Sequence, residues 1–169
     1  MKIFTVGMLA VLFGLIVTIS TVRAAELAKE GSGKYRSGRT AEINVLKMGE
    51  EHMQINFDET GVVVDAPADS PFYNASFNTM GTIHAVNGNF TYSGAALWTR
   101  PNGDQIYGIF KGDGKLGVES NTSLEIVGGQ GECVGITGTM ELKAGPYAKS
   151  SKKGYSMGTS VGTVRWKIP

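Results

Sequence analysis

Few side chains in this sequence have the type and spacing that catalysis or metal binding needs. His52 and His84 are its two imidazoles and the natural proton carriers near neutral pH. They stand far apart, and neither has a second ligand at metal-binding spacing. Glu50-Glu51-His52 sets two carboxylates beside an imidazole, but successive residues of a strand point to opposite faces, so the three do not converge. Cys133 is the single cysteine, with no His or basic residue close in sequence to lower its pKa, so it reads as a small buried filler and not a nucleophile. Asp104 and Asp113 lie in Gly-rich turns without the spacing of a calcium loop. No catalytic residue, metal ligand or cofactor is expected from these groups.

The aromatic side chains offer more. Phe90, Tyr92, Trp98, Phe110 and Trp166 fall on the apolar faces of alternating segments and are the candidate ligand-binding residues. The competing reading is that these rings fill the interior, as side chains do in small barrels. Tyr92 and Trp98 each carry a polar group that needs a partner when buried, which makes them the leading candidates if a pocket exists. The clearest apolar faces also include Ile106, Leu124, Ile126, Ile136, Met140, Leu142, Val164 and Ile168, and none of these is an acid, base or cation. Glu141, Arg165 and Lys167 fall on the opposite faces. General acid–base catalysis needs a titratable group inside the cavity, so this pattern argues against an enzyme unless a less readable strand supplies one.

The elements that must position these rings are strands. Asn89 to Thr99 alternates without a break. Pro101-Asn102-Gly103-Asp104 then supplies the Asn-Gly pair of a tight hairpin. Ile106, Gly108 and Phe110 share the next face, and Gly112-Asp113-Gly114 is expected to turn the chain again. Residues 136–143 and 163–168 alternate as clearly. Upstream, Ile43 and Val45 suggest one strand, Met53, Ile55 and Phe57 another, then a turn at Asp58–Gly61, then Val62 to Val64. Phe72 to Ala85 reads as a long strand broken by Gly81. The result is about eight short strands, the spacing of a sandwich or barrel. The 24 glycines, against an average usage of about 7%, fit a closed antiparallel barrel with tight corners. Residues 25–40 read as a loosely ordered polar lead-in carrying Lys29, Lys34, Arg36 and Arg39, and 145–153 as a long loop.

Lys2, an apolar run from Ile3 to Ile19 and the small residues Val22 and Ala24 describe a secretory signal peptide over 1–24. The lone Arg23 after the run favours cleavage over a retained anchor. Cleavage also removes Lys2, shifting the formal charge from +1 to −1. That balance excludes a general nucleic-acid binder, which needs a basic excess. The expected domain covers 41–169, the location is periplasmic or secreted, and no stable membrane insertion remains after cleavage.

Ile126 to Met140 reads IVGGQGECVGITGTM. It resembles the glycine-rich hairpin of the allene oxide cyclase and dirigent-like barrel superfamily, departing from the usual pattern at Gln130 and Glu132-Cys133. Trp98 to Gly108 (WTRPNGDQIYG) and the terminal GTVRWKIP are similar to stretches of that group's small exported bacterial members. The resemblance implies an all-β, eight-stranded antiparallel barrel, calycin-like in form, with an apolar cavity. Allene oxide cyclases use such a cavity to steer cyclisation of a fatty-acid epoxide, and dirigent proteins use one to orient radical coupling. Their catalytic residues do not map onto positions here, and fold does not transmit activity.

Three functions follow as expectations. The first is an exported barrel binding a small hydrophobic ligand without turnover. The second is a cyclase or isomerase of the allene oxide cyclase type. The third is a solid-cored structural barrel that forms a homo-oligomer through Leu97, Tyr107 and Ile109 on its outer wall.

Overall fold

The computed structural model describes residues 26–149 and 155–169, so the expected signal peptide lies outside the described residues. Nine strands follow one another along the described residues: β1 (Glu30–Lys47), β2 (His52–Asp65), β3 (Ser76–Val86), β4 (Asn89–Thr99), β5 (Gln105–Lys115), β6 (Ser120–Gly129), β7 (Thr137–Ala144), the two-residue β8 (Ala148–Lys149) and β9 (Tyr155–Lys167). Each long strand pairs antiparallel with its neighbour, and β1 pairs with both β2 and β9. The sheet therefore closes into an eight-stranded antiparallel barrel, with β8 lying beside β9 where β7 has ended. Closure leaves no long unpaired edge, the aggregation hazard of an open sheet.

The first third of the chain differs from its sequence reading. Residues 30–40 are not a loose lead-in but the first part of β1, held by β9 from Glu30↔Lys167 to Glu42↔Tyr155. The barrel thus begins at Glu30 and not at residue 41. The polar outward face of this stretch masks its strand character, because only Tyr35, Ser37, Arg39 and Ala41 turn inward to burial. Asp58–Gly61 is not a turn: β2 runs unbroken to Asp65. β3 begins at Ser76, and Gly81 lies within it, unbroken. β5 runs through Gly112-Asp113-Gly114, and the chain reverses at 116–119.

Register explains why so many glycines sit inside strands. Phe57 faces Gly81, Phe77 faces Gly61, Phe110 faces Gly94, Tyr92 faces Gly112, Phe90 faces Gly114 and Trp166 faces Gly31. In each pair a Cβ on the glycine would stand 2.4–2.7 Å from the ring, so the missing side chain is the space the ring occupies.

The two ends of the barrel differ. At one end the 66–75 connection folds inward, burying Pro71 and Phe72 completely. Phe72 meets the Trp98 ring edge-on with centroids 5.4 Å apart, and Tyr35 at 6.3 Å. The β6–β7 connection, with a 3-10 turn at Gly131–Cys133, adds Cys133 and Ile136 to the same plug. Ile106, Ile126, Met140, Val164 and Ile168 complete a packed half. The other end, carrying the 48–51, 87–88, 116–119 and 145–147 connections, is not filled by the described residues.

Candidate functional site

The unfilled half holds a cavity of about 190 Å³. Ile43, Ile55, Phe57, Ile83, Phe110 and Leu142 give it apolar walls, and Leu116, Val118, Pro146 and Tyr147 stand at its mouth. An engineered apolar cavity of about 150 Å³ holds benzene, so the volume suits a monocyclic ring or a short acyl chain.

Three of the five candidate ligand-binding residues meet here. Phe90, Tyr92 and Phe110 line the cavity, with ring centroids 5.8 Å apart for Phe90–Tyr92 and 6.1 Å for Tyr92–Phe110. The Tyr92 hydroxyl is satisfied by the Thr122 hydroxyl and by donating to the Asn121 carbonyl at 3.1 Å. Trp98 and Trp166 do not line it. Both lie in the packed half, where Trp98 Nε1 donates to the Tyr35 hydroxyl at 3.1 Å and Trp166 Nε1 to the Ala28 carbonyl at 3.0 Å. Their polar handles serve the core. Interior filling and pocket lining, posed as alternatives from the sequence, are both realised at opposite ends of one barrel.

The lumen is not uncharged. Arg39 of β1 and Glu59 of β2 both point inward, with side chains 5% and 11% exposed, and Arg39 Nε lies 3.2 Å from Glu59 Oε1. Alternation alone puts them there: each lies an even number of places from inward residues such as Tyr35 and Phe57. Arg39 has glycine opposite it on both sides, Gly61 on β2 and Gly158 on β9, which leaves room for its long side chain. A Cβ on Gly158 would come within 3.1 Å of Arg39 Nη2.

The partners of this pair are unequal. Glu59 is well satisfied: Oε2 accepts from the Thr79 hydroxyl at 2.9 Å, and Oε1 accepts from the Tyr147 hydroxyl. Arg39 Nη1 donates to the Ser160 hydroxyl, and Nη2 reaches the Gly145 carbonyl at 3.5 Å. Nε is ion-paired with Glu59 but does not meet hydrogen-bond geometry there, and is buried without a hydrogen-bond partner. The Tyr147 ring covers the guanidinium at 4.9 Å, while the residue as a whole stays exposed at the mouth. Desolvation of the phenol raises the Tyr147 pKa, and the neighbouring Glu59 charge raises it further, so it remains a donor.

Both members of the charged pair escape the sequence reading for identifiable reasons. Arg39 falls in the stretch read as a lead-in, and Glu59 in the tetrapeptide read as a turn. Extending the alternation of Ile55 and Phe57 by one step reaches Glu59.

The remaining candidates stand apart from the cavity. His52 is exposed at the start of β2, and His84 is exposed on the outer wall. Cys133 is a free thiol, fully buried in the plug, and burial raises its pKa. Asp104 belongs to a surface cluster: Arg100 Nη1 donates to Asp104 Oδ2 at 3.0 Å and to Glu132 Oε2 at 2.7 Å, and the Glu132 N–H donates to Asp104 Oδ2 at 3.1 Å. This cluster ties the β4–β5 hairpin to the β6–β7 connection. Among the described residues no group of three His, Cys, Asp or Glu side chains could hold a metal ion.

No protein-family profile matches the chain, and no curated protein does. Among solved structures it is similar to the pterocarpan synthase dirigent protein GePTS1, at TM-score 0.51 and 10% identity, covering 83% of this chain and 91% of that one. The likeness supports a dirigent-like barrel fold.

Proposed function

We propose that this protein binds a small, largely apolar ligand in the open half of its barrel. The observation that carries the reading is the division of the barrel into a plugged half and a half left with a cavity of about 190 Å³. A barrel whose role needed only a solid core would fill both halves, because dispersion contacts favour close packing. Phe90, Tyr92 and Phe110 are the contacts assigned from the original five.

Thermal shift against a panel of monocyclic aromatics and short-chain alkyl compounds tests this. A ligand present at about 100 times its Kd stabilises by about 2.7 kcal/mol, a shift of several degrees in Tm. Replacing Ala144 at the cavity wall by Phe should abolish the shift. A panel without effect overturns the reading.

A second reading is favoured by one observation. The Glu59 carboxylate, hydrogen-bonded to Tyr147 and facing an apolar cavity, is the titratable group that a cyclase or isomerase requires. The structural neighbour is by title a pterocarpan synthase dirigent protein. Turnover of a bound compound, lost on Glu59→Gln while binding persists, would establish this reading over ligand carriage.

Export rests on the segment from Lys2 to Ala24, and N-terminal sequencing of the mature protein tests it. Association of copies rests on the apolar outer wall, where Ile109 and Val127 are about half exposed; a monomer by sedimentation removes it.

A further inference from the structure

We propose that the ligand of this cavity is a small monocarboxylate of about benzoate size, whose carboxylate is taken by Arg39 when the Tyr147 ring moves aside. The inference deepens the binding function proposed above and rests on it.

Three observations lead there. First, donors at the polar locus outnumber acceptors. A guanidinium offers five N–H groups. Here one goes to Ser160, one reaches Gly145 at the 3.5 Å limit, and Nε has no hydrogen-bond partner although the side chain is 5% exposed. A buried donor left unmade is costly, and an acceptor-bearing ligand relieves it. Glu59 has no matching deficit, since Thr79 and Tyr147 both donate to it.

Second, the charges around the cavity do not balance. Among the described lining residues Arg39 and Lys115 are the cations and Glu59 is the one anion. A monoanion brings the lining to neutrality. The Arg39–Glu59 pair is itself neutral, and the charge in excess is that of Lys115, exposed at the mouth, where it attracts a monoanion and repels a cation. Planar guanidinium also matches a carboxylate in two-point geometry.

Third, the covering group is the one built to move. Tyr147 lies over the guanidinium from a short connection at the mouth, with its other side exposed. It is tethered inward by its hydroxyl on Glu59. Displacing the ring opens Arg39 to the cavity without disturbing a barrel strand.

Isothermal titration of the purified protein near pH 7 with benzoate and with the neutral benzyl alcohol tests the proposal. Benzoate should bind at least tenfold more tightly. The double variant Arg39→Met/Glu59→Leu, which removes both charges and leaves neither orphaned, should lose that preference while still taking up benzyl alcohol. Tyr147→Phe, which cuts the tether but keeps the ring, should tighten benzoate binding about threefold. Equal or tighter binding of benzyl alcohol by the unaltered protein overturns the carboxylate assignment and leaves the cavity reading standing. Failure of both compounds to bind overturns both. Unchanged or weakened benzoate binding by Tyr147→Phe overturns the role of Tyr147 as a displaceable cover.

Discussion

Arg39 and Glu59 form a diagonal pair on adjacent strands, two residue pairs out of direct register, and their side chains meet inside the barrel with Nε 3.2 Å from Oε1. Arg39 is directly opposite Gly61, and Glu59 opposite Ala41. The small residues opposite keep both side chains free to lean toward each other, so an ion pair is held where the surrounding walls are apolar.

The energetic signature of such a pair is asymmetric. Breaking a buried pair leaves an uncompensated charge, and Glu59→Leu should destabilise by about 3 kcal/mol. Arg39→Met should cost a similar amount. The double variant Arg39→Met/Glu59→Leu should recover most of the loss, because two apolar side chains replace two desolvated charges. Urea denaturation of the four proteins in a double-mutant cycle measures this, and additive losses would show that the pair is not coupled.

The two halves of the barrel should respond oppositely to changes of volume. Met140→Ala, in the half packed solid, removes a wholly buried side chain and should cost about 2–5 kcal/mol. Phe72→Ala should cost about 3–5 kcal/mol by emptying the plug. Ala144→Phe, at the cavity, should leave stability within about 1 kcal/mol of the unaltered protein, because it grows into existing space. Chemical denaturation distinguishes these outcomes. A large loss from Ala144→Phe would mean that the open half is in fact tightly packed.

The ring-over-glycine register makes a sharper steric prediction. A Cβ on Gly94 would stand 2.1 Å from the Met80 carbonyl oxygen and 2.5 Å from the Phe110 ring. Gly94→Ala should therefore destabilise by about 1–3 kcal/mol through forced backbone shifts. Gly38 faces outward with nothing near its missing side chain, and Gly38→Ala should be neutral or stabilise by about 0.5 kcal/mol. Thermal unfolding of the two variants is the comparison, and equal effects would refute the steric account.

Alkaline stability should report Tyr147 and Tyr35. Burial raises the pKa of both phenols in the folded protein, above the ordinary value of 10.0. Above that value the unfolded chain gives up these protons first, so the folded state binds more protons and stability falls as pH rises. The contribution is complete below pH 10 and is lost as pH rises through the folded values. Tm measured from pH 8 upward should decline more shallowly in Tyr147→Phe than in the unaltered protein. An identical decline would mean that Tyr147 is solvated at its hydroxyl.

The later strands were legible because their two faces differ in polarity. From Asn89 onward most alternating residues contrast cleanly, and the turn chemistry of Asn102-Gly103 marks a hairpin where the structure has one. The first strands were not legible for the same reason inverted. Their inward residues include Ser37, Arg39 and Glu59, so polarity no longer tells inside from outside. Glycines inside β3 and β5 looked like turns because local sequence cannot show the aromatic ring that each one accommodates from the next strand.

By itself the amino-acid order determined that the chain is all-β with short antiparallel strands, and that Phe90, Tyr92 and Phe110 turn inward. These follow from period-two polarity and local turn residues, which are properties of neighbours along the chain. The closed barrel was implied by the family resemblance and is fixed by the pairing of β1 with β9. Tertiary structure alone decided that Trp98 and Trp166 are core while Phe90, Tyr92 and Phe110 face a cavity, because two connections fold into one end of the barrel and none of the described residues fills the other. It also decided that Arg39 and Glu59 meet. That pairing depends on the register of β1 with β2, set by closure of the whole barrel and invisible to either strand alone.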